Sequence, residues 1–80
     1  MDLIKETIRT IVSKNLNGMN ITDHDSLFET GIDSMNMLFV LNEIENALDV
    51  EIPDDELLIS NFENIEKISE LIYELKGSNE

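Results

Sequence analysis

The eighty residues include five Lys or Arg against eighteen Asp or Glu, for a formal charge of −13, with 41% apolar residues and no cysteine. The length predicts one domain over 1–80, and the lack of cysteine excludes a disulfide framework or a thiolate metal site, so stability has to come from packed helices. The charge disfavours nucleic acid and anionic membranes as partners, while it attracts proteins with Lys/Arg patches, and a monomer is expected for so small and charged a domain.

Met1-Asp2-Leu3-Ile4-Lys5-Glu6 alternates charged and apolar residues and lacks the basic region and apolar block of a secretory signal. No apolar run approaches the length of a membrane span, so the expected location is the cytoplasm. Ile4, Ile8, Ile11 and Val12 follow helical spacing, with Leu3 and Leu16 at the margins and Lys5, Glu6, Arg9 and Lys14 mostly opposite. Asn15, Asn17, Gly18 and Asn20 end this first helix, because Asn and Gly tolerate the left-handed backbone that closes helices.

The connection that follows runs to Asp33, longer than usual between helices, and such loops carry function or a short element of their own. Asp25 or Ser26 is placed to cap a single turn through Glu29, with Leu27 and Phe28 beneath it, before Gly31 reverses the chain. From Ser34 to Leu48 helical spacing resumes, and Met37, Val40, Leu41, Ile44, Ala47 and Leu48 fall on one arc, the predicted core face. Pro53 biases Ile52 to extended geometry, and Asp54 is expected to cap a short helix through Glu56-Leu57-Leu58-Ile59. Ser60 and Asn61 break it and Phe62 is a predicted core plug. Asn64 is then placed to cap a last helix with Ile65, Ile68, Leu71, Ile72 and Leu75 on one side. Gly77 and a polar tail over 77–80 finish the chain. The expected architecture is all-α, with three main helices, one short helix and a long first connection.

Ser34 concentrates the chemical interest. It follows Asp33, a good N-cap, and so sits at a helix mouth where free N–H groups and the helix dipole favour a phosphate. Met35, Leu38 and Phe39 lie opposite the core arc, with Asn42 and Asn46 continuing the strip, so three large apolar groups face outward beside the serine. A hydrolytic role for Ser34 with His24 and Asp25 or Asp33 is disfavoured: Gly-Ile-Asp-Ser-Met-Asn is not the Gly-x-Ser-x-Gly elbow, and so small a chain has little room for a cleft and oxyanion hole. A calcium loop from Asp23 fails at Leu27, Phe28 and Ser34, and the acids Asp49, Glu51, Asp54, Asp55 and Glu56 read as a solvated, helix-capping face rather than a metal site, with loose screening by divalent cations as the alternative.

With Asp25-Ser26-Leu27, Gly31-Ile32-Asp33-Ser34-Met35, Ile44-Glu45, Val50-Glu51-Ile52-Pro53-Asp54-Asp55-Glu56 and Asn61-Phe62-Glu63-Asn64-Ile65 in order, the chain resembles the acyl carrier and peptidyl carrier proteins over roughly 25–75. The resemblance implies a four-helix carrier-protein bundle that is not an enzyme. It implies 4′-phosphopantetheine attached to Ser34 by a phosphopantetheinyl transferase, with Asp33 as the recognition neighbour. The arm's thiol would hold acyl or aminoacyl groups as thioesters, supplying a thiol that the chain itself lacks. Further implied partners are a loading enzyme, either an adenylation enzyme or an acyltransferase, and a downstream synthase or transferase. Carriers of fatty acid synthesis favour Asp where this chain has Asn36 and Glu where it has Phe39. An amide and a ring in place of two charges weaken electrostatic docking and add an apolar anchor. The expectation is therefore a stand-alone carrier for nonribosomal peptide, polyketide or aminoacyl-thioester synthesis, docking through Met35, Leu38 and Phe39, with Glu43, Asp55 and Glu56 as electrostatic candidates. The alternatives are a carrier of primary fatty acid synthesis and an acidic helical adaptor without a prosthetic group.

Overall fold

The computed structural model describes residues 3–77. Four α-helices, α1 (Leu3–Asn15), α2 (Leu27–Thr30), α3 (Ser34–Leu48) and α4 (Ile65–Leu75), are joined by loops, with two 3-10 turns at Asp54–Glu56 and Ile59–Phe62. The described residues contain no strand, and the all-helical bundle expected from the periodicity is the fold observed. The polar tail from 78 onward and Met1-Asp2 lie outside the described residues.

α1 packs against both α3 and α4, and the second 3-10 turn closes against α4. The core follows from the helical spacing: Ile4, Ile8, Ile11 and Val12 of α1 meet Met37, Val40, Leu41 and Ile44 of α3 and Ile65, Ile68, Leu71 and Ile72 of α4. Each fully buried Ile contributes about 1.5–3 kcal/mol relative to an exposed one, and the aliphatic core holds the bundle. Phe62 is buried as expected, and Leu16 lies within the core.

Leu48 and Leu75 are half-buried and pack against the core on the expected side, but several other expectations need correction. Ala47 is exposed. At about 100° per residue Ala47 lies roughly 80° around α3 from Met37, at the edge of the arc, where it shares a shallow surface concavity with Leu3 and Ile11 of α1. Leu3 is exposed rather than marginal. The short helix from Asp54 to Ile59 divides into the two 3-10 turns. Pro53, not Asp54, occupies the first cap, no side chain caps it, and Ser60 and Asn61 lie inside the second turn instead of breaking a helix. Three consecutive apolar residues, Leu57 to Ile59, offer no single face for a helix to bury, and the chain leaves the helical region at Leu57 and Leu58.

The long connection is fastened at several points. Asp23 accepts from Arg9 and lies 3.2 Å from Lys5 Nζ, while its carbonyl accepts the Glu66 N–H at 3.1 Å. Burial raises the Asp23 carboxyl, but hydrogen bonds from Lys5 and Arg9 and their charges outweigh this and hold it below the usual carboxylate range. Arg9 Nη1 also donates to the Ile21 carbonyl at 3.3 Å, and His24 Nδ1 lies 3.0 Å from Glu66 Oε1. One segment of loop is thus tied to both α1 and α4.

Candidate functional site

Ser34 is placed by a short chain of causes that begins in α2. The Leu27 N–H donates to the Glu63 carbonyl at 2.9 Å, and the Leu27 carbonyl accepts from Ile32 N at 3.1 Å and Thr30 Oγ1 at 2.9 Å, which closes the turn. Gly31 has φ +131°, a backbone that side chains rarely adopt, and this reverses the chain. Buried Ile32 then anchors the turn in the core. Asp33 follows as the N-cap of α3, its Oδ1 accepting from the Asn36 N–H at 2.8 Å, as the sequence predicts.

Ser34 is therefore the first residue of α3 and it is exposed. Its hydroxyl takes part in no hydrogen bond among the described residues. Met35, Leu38 and Phe39, at 68%, 58% and 63% exposure, form the outward strip expected from the helix phase, and Asn42 and Asn46 are exposed with them. Ser34 also lines a cavity of about 220 Å³ with Phe28, Met37, Leu38, Leu41, Leu57 and Phe62. An open hydroxyl at a helix N-terminus, over an apolar concavity, has the chemistry of an attachment point: a phosphoester is tolerated by the first-turn N–H groups and an attached chain finds apolar surface nearby.

The other expected docking residues are distributed unevenly. Glu43 is half-buried and paired with Lys14, and its Oε1 accepts from Asn15 Nδ2 at 3.1 Å, so its charge fastens α3 to α1. The hydrogen bonds from Lys14 and Asn15 hold its carboxyl below the usual range. Asp55 is exposed; Glu56 is half-buried, its Oε1 accepting from Asn61 Nδ2 at 3.3 Å. The hydrolytic arrangement is not assembled: His24 faces Glu66, Asp25 Oδ2 accepts from the Thr22 N–H at 2.9 Å, and Asp33 caps α3. No group of three or more His, Asp or Glu among the described residues is placed to hold a metal ion. Leu57, which lines the cavity, and its chain neighbour Leu58 are exposed, at 39% and 55%, and the sequence pattern did not single them out. The available signal was the unbroken run from Leu57 to Ile59, too long to bury in one turn.

An all-helical bundle that holds an exposed Asp-Ser pair at the mouth of its second long helix has the build of a carrier protein. The family model for the phosphopantetheine attachment site matches residues 3–72, and the chain belongs to that family, the carrier domains that bear covalent 4′-phosphopantetheine. It is 39% identical over 69 residues to an acyl carrier protein homolog of Mycoplasmopsis pulmonis (strain UAB CTIP), covering 86% of each chain. Its fold is similar to a chain in the crystal structure of Bradyrhizobium japonicum glycine:[carrier protein] ligase complexed with its cognate carrier protein and an analogue of glycyl adenylate. That match has TM-score 0.84 and 21% identity, and covers 91% of this chain and 99% of that one. A second structure, of the same ligase complexed with glycylated carrier protein, gives TM-score 0.81 at 22% identity, covering 88% and 99%. No helix among the described residues is long and apolar enough to cross a membrane.

Proposed function

We propose that Ser34 is the residue that bears the phosphopantetheine arm, that Asp33 is its recognition neighbour, and that the chain shuttles thioester-bound cargo while catalysing nothing itself. The observation that carries this reading is the exposed, unengaged Ser34 hydroxyl at the start of α3, immediately after the capping Asp33. A phosphopantetheinyl transferase would join Ser34 Oγ to the phosphorus of the arm as the pyrophosphate of coenzyme A breaks, adenosine bisphosphate departing and the hydroxyl proton passing to a base. The arm then supplies the thiol on which an acyl or aminoacyl group is held. The chain's own part is to keep the attachment oxygen open, to fix its direction through the Gly31 turn and the Asp33 cap, and to offer Met35, Leu38 and Phe39 to the enzymes that load and unload it. Asp55 and Glu56 add charge to that surface; Glu43 contributes as the partner of Lys14.

The pathway we favour is specialised aminoacyl, nonribosomal peptide or polyketide synthesis. Its support is the lack of acids in α3 before Glu43, where Asn36 and Phe39 stand instead of them, together with a fold similar to carriers crystallised with a glycine ligase. The test offers the phosphopantetheinylated protein to an amino acid:[carrier protein] ligase with single amino acids, and separately to a malonyl transferase with malonyl-coenzyme A. A hydroxylamine-labile aminoacyl mass increment supports the reading. Malonyl loading alone would exclude the aminoacyl and peptide routes and leave fatty acid or polyketide chemistry.

A further inference from the structure

We propose that Asn17-Gly18 is a self-modifying site, at which the Asn17 side chain cyclises onto the Gly18 backbone nitrogen and then hydrolyses to aspartate or isoaspartate, and that the closure of α1 gates it. Neither a prosthetic arm nor a partner is needed. Asn17 is the only asparagine in the chain followed by glycine; every other is followed by a residue whose side chain crowds the attacking nitrogen. Both residues are exposed, so water reaches the amide and ammonia can leave it.

The atoms balance with water alone. Gly18 N loses its proton to solvent base and bonds to Asn17 Cγ, the Cγ–Nδ2 bond breaks, and ammonia departs to leave a cyclic imide. Water then opens either carbonyl of that imide. One opening gives aspartate with the main chain unchanged. The other gives isoaspartate, whose main chain runs through Cβ and Cγ and is longer by a methylene.

The nitrogen that must attack is already engaged. Asn17 is a left-handed residue just past the end of α1, with φ +60°, and Gly18 follows at φ +80°. That reversal brings the Gly18 N–H back to the Ser13 carbonyl at 2.8 Å, which also accepts the Leu16 N–H at 3.0 Å, while the Met19 N–H donates to the Leu16 carbonyl at 3.2 Å. As long as that bond lasts the Gly18 nitrogen keeps its proton, so attack waits for a local opening of the helix end. Ser13 Oγ ties down the same loop by donating to the Met19 carbonyl at 3.1 Å. Each product weakens the closure. The imide has no N–H for Ser13, isoaspartate displaces that N–H, and aspartate sets a carboxylate at the negative end of the α1 dipole in a chain already at −13. Buried Leu16 lies beside the Gly31 turn, its Cδ2 3.7 Å from the place a Cβ on Gly31 would take, so the modified end of α1 adjoins the turn that presents Ser34.

The test incubates the full chain in mildly alkaline buffer, native and in guanidinium chloride, and follows Asn17 by peptide mass mapping with isoaspartyl methyltransferase labelling. Asn17 should convert before every other asparagine in the denatured chain, and about tenfold more slowly in the folded one, the effect of one backbone hydrogen bond. Asn17→Gly, which keeps a residue suited to the left-handed backbone at the helix end, should fold and show no conversion there. Ser13→Ala removes the tether to Met19 and should speed hydrogen exchange at the Gly18 N–H and conversion of Asn17 by the same factor, with the thermal melt nearly unchanged. Conversion of Asn17 no faster than that of the other asparagines in the denatured chain overturns the site. Equal native and denatured rates, or faster Gly18 exchange without faster conversion, overturn the gate.

Discussion

Replacing Asp33 separates its two roles, because the cap needs an acceptor oxygen whereas recognition needs a charge. Asp33 Oδ1 accepts the Asn36 N–H at 2.8 Å from an exposed position. Asp33→Ala deletes that bond and leaves a first-turn donor to water, a loss of about 1 kcal/mol, with a few tenths more from the lost carboxylate at the positive end of the helix dipole. For a chain of this size that lowers Tm by about 4–8 °C. Asp33→Asn keeps a carbonyl oxygen for the Asn36 N–H and should lose only the dipole part, about 0.3–0.5 kcal/mol. Urea denaturation followed by circular dichroism reads these differences. The transferase reaction should rank the variants differently: if the charge is what the enzyme reads, Asp33→Asn loses about tenfold in kcat/KM despite near-native stability. Equal stability of Asp33→Ala and wild type would refute the cap, and full activity of Asp33→Asn would refute recognition of the charge.

Two further outcomes follow from the loop and the docking strip. Asp23→Asn should cost about 1 kcal/mol at neutral pH, since it weakens bonds to both Lys5 and Arg9 at a partly exposed site. Because the folded Asp23 carboxyl is held below its ordinary value, its contribution is complete above the usual carboxylate range and lost as pH falls through the folded value. The stability gap between wild type and Asp23→Asn in urea titrations should accordingly be constant near neutrality and shrink in acid; a gap that widens in acid would contradict the clasp. Phe39→Ala, at a side chain 63% exposed, should leave the melt within about 0.5 kcal/mol of wild type and slow loading by the dedicated enzyme. An unchanged loading rate would take Phe39 off the docking face.

What the sequence discloses and what it withholds divide along physical lines. The three long helices were legible because each repeats apolar residues at helical spacing, and Asp33 and Asn64 were legible as caps because capping is local chemistry; Asn64 Oδ1 accepts the Lys67 N–H at 2.8 Å. The position of Ser34 at the helix mouth and the outward phase of Met35, Leu38 and Phe39 follow from the same rules. The path from Asp54 to Asn61 was not legible, since 3-10 turns bury no periodic face and the second of them is set by contact with α4. The exposure of Leu57 and Leu58 was missed with it. The engagement of Glu43 by Lys14 and of Asp23 by Lys5 and Arg9 joins residues far apart in the chain, and an ion pair between distant residues leaves no mark on periodicity. Ala47 shows the limit of an ideal helical wheel, because the edge of an arc is buried only where a neighbouring helix reaches over it.

The most direct measurement is fragment mass mapping after incubation with coenzyme A and a broad-specificity phosphopantetheinyl transferase. One phosphopantetheine should appear in wild type, on the peptide containing Ser34 and on that oxygen, and none should appear in Ser34→Ala with its fold intact. A wild-type chain that stays unmodified, or a Ser34→Ala chain that is modified at another residue, would contradict the account.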